Sequence, residues 1–400
     1  MSATLERHPE PASSPWTGRP IAPVEIGAIL FVGTVGILIA GLQPVLLGAL
    51  ADEGRLTTSQ LGIAATAELL AIGLAAGLAG AFVNPRGLRY WGASAALMLA
   101  VIDALTGGET GFAVVANRAI AGLAEGIMIW IAVGMIARST IPDRWSAIYL
   151  ALQTLAQLGY SAILPVTIMV RHGAGGGFGA LSATALVCCG VSFLLPSRFG
   201  ELPRTPAEGL AGGRLPLRAI GVLLSVFLFM AFLIGVWAYL GPIAAAVGLP
   251  AGVADEGVSL SLAAQVAGAL LAVVLAGRVS YFHAFVGCTL ANLGVLAVLG
   301  TISHASAFLA ATGIFGFLWL FVLPFQVPLA IEADPSRRAA MLLPGAQLLG
   351  AAAGPLLCSF AVTGTNMRGV FFVSAALLVS SFAVMILVHW SRRSPERGTS

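Results

Sequence analysis

The stretch Asn117-Arg118-Ala119-Ile120-Ala121-Gly122-Leu123-Ala124-Glu125-Gly126 sets a guanidinium and a carboxylate inside an apolar run from Phe112 to Ala137. Residues 118, 122 and 125 are about one and two helical turns apart, so Arg118, Gly122 and Glu125 share one helix face. An ionised group at the middle of a bilayer costs at least ~2.5–3.5 kcal/mol on insertion scales, so that face must turn toward a bundle interior or a watery cavity. Two uses fit it: an ion pair tying spans together, or a coupling site in a transporter.

The rest of the chain supplies the bilayer. Of 400 residues, 58% are hydrophobic and 9% are charged, with a mean hydropathy of +0.96, whereas soluble domains carry about a quarter of charged residues. An all-α polytopic membrane protein follows. The basic residues are all arginine, spread thinly over many loops for a formal charge of +3. With no basic block, nucleic acid is not an expected partner. Cys188, Cys189, Cys288 and Cys358 fall inside apolar runs without metal-ligand spacing, so they read as packing residues. No span pairs His/Cys ligands or sets a nucleophile beside a base, so neither an enzyme nor a metal or other cofactor is expected.

A span needs about 20 apolar residues. Twelve such runs are expected, at 25–50, 59–82, 90–107, 112–137, 145–170 and 178–196, then at 217–246, 256–276, 284–301, 306–331, 339–362 and 369–390. Residues 1–24 read as a polar, Pro-rich tail rather than a cleavable signal, and 391–400 as a second tail. Residues 197–216, with Arg198, Arg204 and Arg214 among Pro203, Pro206 and Gly209, form the linker between two six-span bundles, 25–196 and 217–390. With the N-terminus placed inside, Arg118 is the arginine left within a span and only Arg55, Arg171 and Arg368 fall outside; all the others collect on the inner side. Arginine excess marks the cytoplasmic face, so both termini and the linker are expected there.

The two halves also read as repeats. Arg118 with Thr312, Gly122 with Gly316, Arg144 with Arg338 and Gln153 with Gln347 all fall at one offset. At slightly larger offsets Gly41-Leu42-Gln43-Pro44 aligns with Tyr239-Leu240-Gly241-Pro242, and Glu68 with Gln265. Parallel six-span repeats about a central cavity are a transporter layout, with substrate near mid-membrane between halves that rock against each other.

Over residues 25–390 the chain resembles the major facilitator superfamily. Gly80-Ala81-Phe82-Val83-Asn84-Pro85-Arg86-Gly87-Leu88-Arg89 keeps the glycine spacing and Arg89 of that family's loop after the second span, with Asn84 where the family has an acid. Arg118 to Gly126 resembles its fourth-span motif, whose arginine is implicated in proton coupling. The antiporters' fifth-span Gly-Pro pair is absent from the span holding Gly159 and Pro165; Gly354-Pro355 carries such a pair in the eleventh span, where small residues also serve helix packing. Pro44 and Leu56-Thr57-Thr58-Ser59-Gln60-Leu61-Gly62 resemble the twelve-span drug and sugar-efflux branches. The resemblance implies a multi-pass transporter of a bacterial inner membrane, acting as a monomer on a small molecule.

Helical rise puts Glu68 ~14 Å and Glu125 ~20 Å below the outer ends of their spans, with Arg118 ~9 Å below and Asp103 approaching its level. Glu68, Arg118, Glu125 and Asp103 are therefore the candidate proton-coupling set, with an Arg118–Asp103 pair in reach. The second half aligns Gln265, Thr312 and Trp319 with Glu68, Arg118 and Glu125. Candidate substrate contacts are Gln43, Trp130, Gln153, Gln157, Trp237, Tyr239, Gln265, Phe315, Trp319, Gln326 and Gln347, although aromatic stripes also serve packing and amides also bridge helices. The expected function is proton-coupled export of a small amphipathic organic molecule. The alternatives are import of an organic carboxylate held by Arg118, and a membrane receptor or lipid translocator without coupled transport.

Overall fold

The structure, a computed structural model, describes Trp16 and residues 20–202, 215–250, 253–301, 304–361 and 367–391. Most of both expected tails, and 203–214 of the expected linker, lie outside these residues. The first half contains α1 (Pro23–Val35), α2 (Leu38–Asp52), α3 (Thr58–Phe82), α4 (Leu88–Thr106), α5 (Phe112–Ile136), α6 (Pro142–Ile163) and α7 (Met169–Val191). The second contains α8 (Leu217–Ala238), α9 (Leu240–Ala246), α10 (Val253–Leu275), α11 (Tyr281–Thr301), α12 (Ala305–Val322), α13 (Gln326–Ala333), α14 (Arg338–Ser359) and α15 (Arg368–Trp390). Among the described residues eleven stretches are long and apolar enough to cross a membrane. The remaining long helix, α6, is diluted by Asp143, Arg144, Gln153 and Gln157.

Three runs read as single spans are each broken. The first parts at Gly36 and Ile37, where a Cβ on Gly36 would stand 2.7 Å from Met128 Cβ and 3.0 Å from the Glu125 carbonyl. The chain comes that close to α5 only without a side chain. Gln157 Nε2 donates to the Ile37 carbonyl at 2.8 Å, and so satisfies a group that lipid cannot. The seventh span parts at Tyr239, ahead of Pro242, which has no N–H for the carbonyl of Ala238. The tenth parts at a 3-10 turn, Leu323–Phe325, around Pro324.

The boundary between the fifth and sixth spans also differs from the sequence reading. α6 stops at Ile163, and α7 starts at Met169 but bends at Gly173, whose φ of 58° lies in the left-handed region. Glu53 Oε1 accepts the Ala174 N–H at 2.6 Å, an anion placed where the helix restarts. By contrast α3 begins where the sequence marks it. Thr57 Oγ1 accepts from Gln60 N–H, and Gln60 Oε1 accepts from Thr57 N–H, a reciprocal cap.

Matching helix pairs of the two halves pack at backbone distance, α3 with α5 and α10 with α12. A Cβ on Gly122 would meet the Glu68 carbonyl, and one on Gly316 the Ser261 carbonyl. Gly350 and Gly354 face the carbonyls of Phe227 and Ala231, so the Gly-Pro pair of the eleventh span packs α14 on α8.

The halves meet along α3 against α14 and α6 against α10 and α13. Gly73, Gly77 and Gly80 face Leu348, Gly345 and Met341, all in the part of each helix nearer the end that carries α1's start and α15's finish. Ala147 packs with Ala272, Ala284 and Phe325 at the same end. At the opposite end α2 packs on α3, α6 and α7, and α9 on α8, α10 and α11, each within its own half.

Candidate functional site

Arg118 is completely buried on α5. Its Nη1 donates to Glu68 Oε1 of α3 at 2.9 Å, and its Nη2 donates to Asp103 Oδ1 at 2.7 Å and Thr106 Oγ1 at 3.1 Å, both on α4. The guanidinium also lies 5.1 Å from the ring centroid of Phe178 on α7, a cation–π distance. Glu68 Oε2 accepts from Gln43 Nε2 of α2 at 2.8 Å. One cation thus joins four helices and accounts for two carboxylates.

Glu125 completes the group without a bond of that kind. It is 1% exposed, faces the field of Glu68, Arg118 and Asp103, and its Oε2 has no hydrogen-bond partner among the described residues. Gly122 and Gly126 on the same helix bring the backbone of α3 against α5, and that contact sets Glu68 beside Arg118. Three carboxyls and one guanidinium therefore share a site closed to solvent.

The other expected contacts divide by place. Gln43 holds Glu68, and Gln157 holds the broken first span. Gln153 is half-buried on α6. Trp130, 2% exposed, sits in the apolar core; Phe315, fully buried, stands edge-on to Phe232 and Trp319. Both rings are enclosed by apolar neighbours. Trp237 and Trp319 are half-buried and meet edge-on at 5.6 Å. Tyr239 donates from its hydroxyl to the Pro355 carbonyl at 3.4 Å, and Gln347 Nε2 donates to Gln326 Oε1 at 2.7 Å. Gln326 Nε2, Gln265 Nε2 and Ser261 Oγ are buried without a partner among the described residues.

The structural counterpart of Glu68 is Ser261 rather than Gln265. Gly122 and Gly316 occupy one register, and the carbonyls they approach belong to Glu68 and Ser261. The repeat in the second and eighth spans therefore runs one helical turn away from the alignment through Gln265.

Sequence reasoning missed two members of the cluster and the polar closure of the seam. Thr106 stands one turn after Asp103, a legible spacing; Phe178 follows a glycine run and gave no signal. At the seam, Arg337 Nη1 donates to the carbonyls of Ala137 and Ser139 across the halves at 2.7 and 2.6 Å. Asp143 Oδ2 accepts the Gly277 N–H at 2.6 Å. Arg337 holds a φ of 64°, the only positive φ outside glycine among the described residues, and burial lowers its pKa. Burial and the facing Arg337 guanidinium together push Arg138 down to about 10.

No family model matches the chain, and no curated protein matches it in sequence. Solved structures do. The E. coli fucose:proton symporter FucP, as a variant, superposes with a TM-score of 0.71 at 13% identity, over 92% of this chain and 98% of its own. The chain has the major facilitator superfamily fold. Also similar are the proton:xylose symporter XylE bound to 6-bromo-6-deoxy-D-glucose (TM-score 0.69, 15% identity, 91% of this chain and 95% of that one) and the human organic anion transporter MFSD10 (0.72, 16%, 92% and 100%). FucP in an outward conformation superposes at 0.72 with 12% identity, over 91% and 98%.

Proposed function

We propose that the protein is a secondary active transporter working by alternating access, in which the Glu68–Asp103–Arg118–Glu125 cluster carries a proton. The observation that carries this is Glu125, a buried carboxyl with an unpartnered oxygen beside two carboxylates that already share the single guanidinium. Three ionised carboxyls against one cation would leave uncompensated negative charge in a low-dielectric interior, at a cost of several kcal/mol per unpaired ion. A bound proton relieves that charge, and movement of the halves changes which side can exchange it. Solved structures of similar fold include two named as proton symporters and one as an organic anion transporter, which supports a small organic cargo.

Export of an amphipathic molecule remains the preferred direction, with Trp237, Trp319, Gln265 and Gln347 as cargo contacts. Import of a carboxylate gripped by Arg118 is disfavoured, because both terminal nitrogens already donate to Glu68, Asp103 and Thr106 inside the bundle. The termini are assigned to the cytoplasm from the arginine asymmetry, so the seam is closed on the inside and the conformation faces outward. A cysteine replacing exposed Ser197 should resist an impermeant thiol reagent in intact cells; rapid labelling there would reverse the orientation.

Proteoliposomes with an internal pH dye and a panel of organic cations, neutral amphiphiles and carboxylates test the coupling. The wild type should move protons with one class of cargo, while Glu125→Gln should let that cargo equilibrate without proton flux. Unchanged proton flux in folded Glu125→Gln and Glu68→Gln would make the cluster a structural tie.

A further inference from the structure

Two cavities adjoin at the end of the molecule that carries the termini, and Arg86 lines both. The first, about 590 Å³, opens on the seam: its walls come from residues 81–86, Arg138 and 198–202 of the first half and from Ser336 and Arg338 of the second. Arg86, Arg138, Arg198 and Arg338 line it against one acid, Glu201. The second, about 550 Å³, is a groove along α4 and the end of α7, lined by Tyr90, Trp91, Leu97 and Phe193. Those four side chains are 77%, 40%, 48% and 55% exposed, on the outer face of the first half and away from α14.

We propose that an anionic glycerophospholipid docks here, with its phosphate in the arginine-lined cavity and an acyl chain along the aromatic groove, and that it holds the seam shut. The two cavities meet at a single arginine, so the ligand they fit joins an anion directly to an apolar chain. A free phosphate fills only the first, and a neutral lipid is matched only by the second. Tyrosine and tryptophan sit at headgroup depth in membrane proteins, and basic pockets between helices bind anionic headgroups. Burial and the facing Arg337 guanidinium push the Arg138 pKa down to about 10, and this crowding of cations at the cavity is what a phosphate offsets. Because both halves wall the cavity, a ligand that needs both binds the closed seam better than the open one and shifts the population toward it.

The full chain in neutral detergent is titrated with dioleoylphosphatidylglycerol, dioleoylphosphatidylcholine or inorganic phosphate. Bound lipid is read by native mass spectrometry, and seam closure by the distance between spin labels replacing exposed Arg144 and Arg278. Phosphatidylglycerol should be retained over phosphatidylcholine, and it alone should sharpen the short distance. Arg86→Gln and Arg198→Gln, both on exposed side chains, should each weaken its retention about fivefold, and Trp91→Ala should weaken it as well. Arg171→Gln, at the opposite end, should not. Equal retention of the two lipids, or retention indifferent to Arg86 and Arg198, overturns the site. Phosphate alone reproducing the sharpened distance shows a free-anion site instead, and lipid binding without any change in distance overturns the clamp.

Discussion

At one register of the repeat the first half holds Arg118, Glu68 and Glu125, while the second holds Thr312, Ser261 and Trp319. The backbones are alike, since Gly122 and Gly316 bring their helices equally close to the carbonyls of Glu68 and Ser261. The side chains are not. Thr312 donates to the Leu309 carbonyl of its own helix, and Trp319 meets Trp237 and Phe315 ring to ring. Repeated packing thus supports a charged register in one half and an uncharged one in the other. The scaffold depends on small residues where helices touch, and the charge is an addition to one copy of it.

The largest expected effect tests that separation. Arg118→Ala leaves Glu68 and Asp103 without their cation and should cost about 3–5 kcal/mol, read as a loss of monodisperse folded protein on size-exclusion chromatography. Thr312→Ala, at the same register, should cost under about 1 kcal/mol. Equal losses would mean that both registers serve packing alone.

Next comes the seam, where the halves again differ. Arg337 of the second half reaches the carbonyls of the first, whereas its repeat position is Asp143, which accepts from Gly277. Arg337→Gln should remove charge-assisted bonds of about 1.5–3 kcal/mol, enough to move the conformational population at least about tenfold toward opening. Spin labels at Arg144 and Arg278 would report it. An unchanged distance distribution would assign closure to the glycine contacts of α3 and α14.

Gly122→Ala and Gly316→Ala sharpen the shared part of the comparison. Each forces a Cβ onto a backbone carbonyl and should destabilise by about 1–3 kcal/mol, visible as similar drops in melting temperature. A large drop for one alone would show that the two close approaches are not equivalent. The smallest effect belongs to Ser261→Ala. Its hydroxyl is buried without a partner among the described residues, so stability should stay within about 1 kcal/mol of wild type; a larger loss in a melting curve would reveal a bond the hydroxyl makes.

Depth was legible in the sequence because it is local. A rise of about 1.5 Å per residue places Glu68, Asp103, Arg118 and Glu125 at their levels from span ends alone, and hydropathy supplies those ends. Counting along the chain also gave the arginine bias, whereas the reciprocal Thr57–Gln60 cap emerged only with the structure. The same counting fixed Gly122 against Gly316, since a glycine on a buried face has few other uses. The runs 25–50, 217–246 and 306–331 were legible as spans, but their breaks at Gly36, Pro242 and Pro324 were not, since hydropathy does not register a missing side chain or N–H.

What the sequence determined by itself is the membrane environment, the two six-span halves and the confinement of mid-span charge to the first. Each follows from transfer energy and helical period, which need only neighbours in the chain. Tertiary structure decided which carboxylates share Arg118, that Gln43 and Thr106 complete the cluster, that Glu125 keeps an oxygen unpartnered, and that Ser261 rather than Gln265 repeats Glu68. It also decided which end of the molecule is closed. Those outcomes depend on how each helix is rotated about its own axis, and rotation is set by the close packing of glycine faces on neighbouring helices, which no single span encodes.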